Sequence, residues 1–136
     1  MAKCITLLLS LDEIVDWHHD RFKLLAHSGC DLLAIETIPG IKEIEALFVL
    51  LEKYPKDAYL TMVSCANGVG KLNSGETWEE ALKFIKENKP KSLKGIGVNC
   101  TKVGAMTDLR LSLDSRLQRL FNEALNEQTS FLSVSS

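Results

Sequence analysis

The 136-residue chain lacks a surplus of either charge, a paired-cysteine motif, a dinucleotide-binding glycine fingerprint and any long hydrophobic run. Lys and Arg total 16 against 18 Asp and Glu, a net charge of -2, which removes the electrostatic case for binding nucleic acid or an anionic membrane. The four cysteines, at 4, 30, 65 and 100, are scattered and include no Cys-x-x-Cys, so they argue for a reducing compartment over a disulfide scaffold. Gly68, Gly70 and Gly75 do not form Gly-x-Gly-x-x-Gly between a strand and a helix, which leaves phosphate binding little support. The apolar run Ile5 to Leu9 is too short for a signal sequence core or a membrane span, and the cytoplasm is the expected location.

What is present is a thrice-repeated pattern. Lys94-Gly95-Ile96-Gly97-Val98 is a short apolar run that closes on Asn99-Cys100. Asp31 to Ile35 closes in the same way on Glu36-Thr37, and Ala58 to Val63 closes on Ser64-Cys65. Each reads as a buried parallel strand with polar residues at its C-terminal end, where the loops of (β/α) folds collect their chemistry. The expected fold is α/β, with about three neighbouring parallel strands and flanking helices that present Glu36, Ser64, Asn99 and Cys100 on one rim.

The intervening segments carry helix signals. Ser10-Leu11-Asp12-Glu13 is a capping box, predicting a helix from about Leu11 to His27 that ends at Ser28-Gly29. Ile44, Leu47, Phe48 and Leu51 form one stripe of a second helix, stopped by Tyr54-Pro55. A second capping box at Thr77 to Glu80 opens a third, with Trp78, Ala81, Leu82 and Ile85 on its buried side and Pro90 beyond its end. The loop Cys65 to Gly75 is long and polar, of the kind that covers substrates. Beyond Cys100 the pattern changes to a helix over 108–126 and a Ser-rich tail over 129–136. Residues 1–9 read as an extension or an edge strand, 10–102 as the folded unit, and 103–136 as a divergent helix and tail.

Several residues admit a chemical and a structural reading. Glu36 can bind an amine, act as a base, or cap the turn that follows it. Cys100 can be a metal-bound thiolate, a nucleophile, or a small packed hydrophobe. Asn99 can orient a substrate or merely suit a turn. His18 and His19 are adjacent on a helix, a poor spacing for one metal, and one is expected to pack on the sheet while the other faces water. Cys4, Cys30 and Cys65 read as structural, with Cys30 at the buried start of a strand.

Taken together, Trp17-His18-His19-Asp20-Arg21-Phe22, Gly29 to Pro39 with Glu36-Thr37-Ile38-Pro39, Ser74-Gly75 and Gly95 to Thr101 resemble the homocysteine S-methyltransferase family over about residues 10–102. The resemblance implies part of a (β/α)8 barrel. It also implies a zinc ion held by three cysteine thiolates, of which Cys100 matches the first, with Glu36 at the amino group of homocysteine and Asn99 beside the metal. The implied reaction moves a methyl group from a sulfonium donor, S-methylmethionine or S-adenosylmethionine, to the zinc-activated homocysteine thiol and gives methionine. No cysteine follows Cys100, no Asp-Gly start precedes residue 10, and no proline follows Thr101. These departures lead to the expectation of a truncated member, weakly active or inactive alone and not retaining zinc. A non-catalytic fragment that self-associates or pairs with a full-length relative is the alternative, and a Cys100 nucleophile served by His18 or His19 ranks third.

Overall fold

A computed structural model describes residues 8–63 and 70–100. Its elements are α1 (Leu11–Ala26), β1 (Leu33–Ile38), α2 (Ile41–Lys53), β2 (Ala58–Met62), α3 (Trp78–Asn88) and β3 (Leu93–Val98). The predictions for Cys4, Ser64, Cys65, the 108–126 helix and the C-terminal tail fall outside the described residues.

Both capping boxes form. The Ser10 hydroxyl accepts from the Glu13 amide while the Glu13 carboxylate takes the Ser10 N–H, and Thr77 and Glu80 repeat the exchange at α3. The backbone N–H of Ser10 holds the Glu13 carboxyl below its ordinary range, and Thr77 does the same for Glu80. Helix α2 starts at Gly40, which has no side chain to cap with. Glu76 substitutes from across the chain, its carboxylate accepting from the Ile41 amide at 3.3 Å, where the positive helix end favours an anion. Gly29, at φ 82°, makes the left-handed turn after α1.

The strands form one parallel sheet in the order β1-β2-β3. Ala58, Leu60 and Met62 alternate into the core along β2, and with Leu33, Ile35 and Ile38 of β1 and Leu93, Ile96 and Val98 of β3 they pack against Leu47, Leu50 and Leu51 of α2 and Leu82 and Ile85 of α3. Phe48 stacks on Phe84 where the two helices meet, with ring centroids 6.2 Å apart.

Three expectations about position are corrected. β1 runs three residues further than the apolar run that ends at Ile35, so Glu36 lies inside the strand and not at its end. Cys30 is half-buried, short of the strand it was expected to start, with its thiol 3.5 Å from the Leu25 carbonyl. Helix α1 packs chiefly on α2 and not on the strands, so His18 is buried between helices. Its Nδ1 lies 2.9 Å from Arg21 and its Nε2 3.0 Å from Glu43 Oε1. Arginine only donates, so Nδ1 accepts and the ring proton sits on Nε2, donated to the carboxylate. Arg21 also covers the Trp17 ring at 5.1 Å.

Both partners of this pair are buried, His18 at 6% and Glu43 at 7% exposure. Glu43→Ala leaves the His18 N–H without its acceptor and is expected to lower stability by about 1–3 kcal/mol, measured by urea unfolding.

Candidate functional site

The register of β1 against β2 builds the site. Ile35 pairs with Leu60 and Ile38 with Met62, so Glu36 and Thr37 together oppose the single residue Thr61, a bulge. The extra residue changes which way side chains point: Ile38 returns to the core, and Glu36 and Thr37 are both left exposed. Thr37 takes up the distortion with φ 66°, a region that costs a residue bearing a Cβ roughly 1–2 kcal/mol. Its N–H donates to the Thr61 hydroxyl at 3.2 Å, so the amide displaced from the ladder is still satisfied.

The end of β3 meets this bulge. The Asn99 backbone continues the sheet through the Met62 carbonyl at 3.1 Å, and its Nδ2 donates to Thr37 Oγ1 at 2.9 Å. Cys100 follows in the left-handed region at φ 49°, its sulfur exposed and 3.9 Å from the same hydroxyl. Thr37 therefore joins the C-terminal ends of β1, β2 and β3. It was quoted in the sequence as part of a motif but not as a site residue, because two polar residues after an apolar run read equally as the end of a strand or as a bulge within it.

Glu36 lies one residue away and accepts a hydrogen bond from the Tyr59 hydroxyl at 2.9 Å. It does not cap the following turn in the way its structural reading required. The bonded carboxylate is the main reason that the Tyr59 phenol is pushed above its ordinary range, with burial and the negative charge adding to it. The β2–α3 connection closes over the start of α2. Ser74 donates from its hydroxyl to the Pro39 carbonyl at 2.7 Å and also contacts Glu76, and Gly40 approaches Ser74 so closely that a Cβ would lie 2.0 Å from its oxygen.

The histidines are elsewhere. His18 uses both ring nitrogens on Arg21 and Glu43, and His19 contacts Asp20 and Tyr54. Among the described residues neither pairs with Cys100, so the arrangement does not favour a cysteine nucleophile with a histidine base. Nor do any three His, Cys, Asp or Glu side chains among the described residues converge as a metal would require. Cys100 is the one thiol placed at this end of the described sheet, whereas a catalytic zinc site takes three protein ligands. The described donor set therefore does not fit a catalytic zinc.

The model for the family described as homocysteine S-methyltransferase matches residues 3–131. Homocysteine S-methyltransferase 1 of Arabidopsis thaliana is 38% identical over 94 residues, covering 68% of this chain and 28% of that protein. Betaine-homocysteine S-methyltransferase of Drosophila melanogaster is 32% identical over 111 residues, covering 77% and 33%. The crystal structure of the homocysteine methyltransferase MmuM from Escherichia coli, apo form, superposes with a TM-score of 0.64 at 28% identity, over 74% of this chain and 38% of that one. The chain thus spans about a third of the length of these relatives. Its three parallel strands and flanking helices are a portion of the (β/α)8 barrel.

The Glu36–Tyr59 bond has a signature in the absorbance titration of tyrosine. Tyr59 ionises above the ordinary tyrosine range, and Glu36→Gln moves its midpoint down. Because the folded value is raised, the stability gained from this bond is complete below about pH 10, the unfolded tyrosine value, and is lost as pH rises through the folded value. A midpoint unmoved by Glu36→Gln would show that the carboxylate is not the cause.

Proposed function

The chain belongs to the homocysteine S-methyltransferase family, and on that premise we propose that residues 10–102 form the amino-acid-binding part of a methyl-transfer site. In this reading Glu36 takes the ammonium group of homocysteine, and Asn99 and Cys100 flank its sulfur. The observation that supports it is the meeting of the β1 bulge with the end of β3, which brings Thr37, Asn99 and Cys100 into contact one residue from Glu36.

The chemistry that such a site serves sets its requirements. Attack by homocysteine sulfur on the methyl of a sulfonium donor, S-methylmethionine or S-adenosylmethionine, needs sulfur and methyl held in line, and the product is methionine. Glu36 supplies a negative anchor on a strand, with one oxygen already fixed by Tyr59, so its carboxylate is oriented before the ammonium arrives. Asn99 is held by Thr37 and contributes a polar group of fixed direction. A zinc ion, when bound in a site of this class, makes the substrate thiol a thiolate at neutral pH. Among the described residues only one cysteine, Cys100, stands at this end of the sheet, so no step is assigned to a metal here. We expect substrate binding with weak or absent turnover by this chain alone, in the cytoplasm, where its scattered cysteines remain reduced.

A second reading is a non-catalytic fragment that self-associates or pairs with a full-length relative through its open sheet edges and the 108–126 segment. It is favoured by the large hydrophobic side chains exposed along α1, Trp17 at 67% and Leu24 at 72%. A concentration-independent monomer in sedimentation would refute it.

Titration calorimetry of homocysteine into the full chain tests the first reading. Binding is expected, and Glu36→Gln should weaken it about tenfold by removing the charge opposite the ammonium. Equal affinity of the two proteins would remove Glu36 from the site. Methionine formation from homocysteine and S-methylmethionine, followed by mass spectrometry, is expected to stay near background.

A further inference from the structure

Thr37 stands out because its backbone conformation and its contacts pull in opposite directions. A β-branched residue in the left-handed region is a true outlier, and such strain persists where the surroundings over-determine it. Here three bonds do so. The Thr37 amide is held by Thr61, its hydroxyl oxygen accepts from Asn99 Nδ2, and the Cys100 sulfur lies on that same oxygen. The Asn99 amide nitrogen can only donate, so the hydroxyl proton of Thr37 remains free to point at the sulfur. The bulge sets this geometry, since a regular strand would pair residue 37 within the ladder and leave Asn99 and Cys100 without this neighbour.

We infer that Thr37 is a positioning residue for the substrate end of β3: its hydroxyl fixes the Asn99 carboxamide and the Cys100 sulfur in the orientation an amino-acid substrate meets. This rests on the reading of Glu36, Asn99 and Cys100 as the homocysteine-binding side. It goes beyond that reading by assigning the order of these groups to a hydroxyl on a different strand.

The test compares wild type, Thr37→Val, Thr37→Ser and Thr37→Ala in the full chain. Valine keeps the branched shape without the hydroxyl, serine keeps the hydroxyl without the branch, and alanine covers the case in which valine does not fold. Two signals are read in each: the NMR resonances of the Asn99 side-chain amide, and the calorimetric Kd for homocysteine. The inference expects Thr37→Val and Thr37→Ala to shift the Asn99 amide pair and weaken homocysteine binding about fivefold, the factor for one hydrogen bond, at matched Tm. Thr37→Ser restores both. Unmoved Asn99 resonances in the folded variants overturn the inference, as does wild-type affinity in Thr37→Val or Thr37→Ala. If wild type itself does not bind homocysteine, the functional reading fails, and the Asn99 signal alone then decides whether the hydroxyl orders this end of the sheet.

Discussion

Two residues of β1 set against one residue of β2 is the constraint on which the rest of the site depends. Without that offset, strict alternation would send Ile38 to the solvent side and return Thr37 to the hydrophobic layer, because the side-chain period of a strand is two. With it, Ile38 packs in the core and the two preceding polar residues both remain exposed. One inserted residue thus reconciles a buried anchor with a polar rim. The local cost is a left-handed Thr37, and the hydrogen bonds to Thr61 and Asn99 offset it.

The same economy appears around the rim. Gly40 cannot cap α2, and its lack of a side chain allows Ser74 to sit against it, which in turn places Glu76 on the exposed helix amide. Cap and close approach are therefore one arrangement, tying the β2–α3 connection to the turn after β1. Glu36 precedes this turn on β1 with its carboxylate already bonded to Tyr59, an orientation achieved between strands and not within the turn. The helices lie away from this chemistry. His18, Arg21 and Glu43 form a closed polar set between α1 and α2 and secure packing, which accounts for histidines that looked like candidate ligands.

Much of the fold was legible because it follows from local rules. Ser10 with Glu13 and Thr77 with Glu80 announced two helix starts, Pro90 and Gly29 marked the breaks that follow, and the stripe of Ile44, Leu47, Phe48 and Leu51 gave the buried side of α2. Parallel neighbouring strands followed from three apolar runs separated by helices. The boundary of β1 is hidden because Glu36 and Thr37 are polar, and polarity ordinarily signals the end of a buried strand. It is in fact the mark of a bulge within it.

What the sequence determined by itself was the order of elements, the family, and the presence of an acid, an amide and a thiol near strand ends, since propensity, capping and motif all act over a few neighbouring residues. Which of these groups touch was decided only by the tertiary structure. Thr37 and Asn99 are bonded although 62 positions separate them. Contact at that range depends on strand register, and the polar pair that marks the bulge reads, along the chain alone, as the end of a strand.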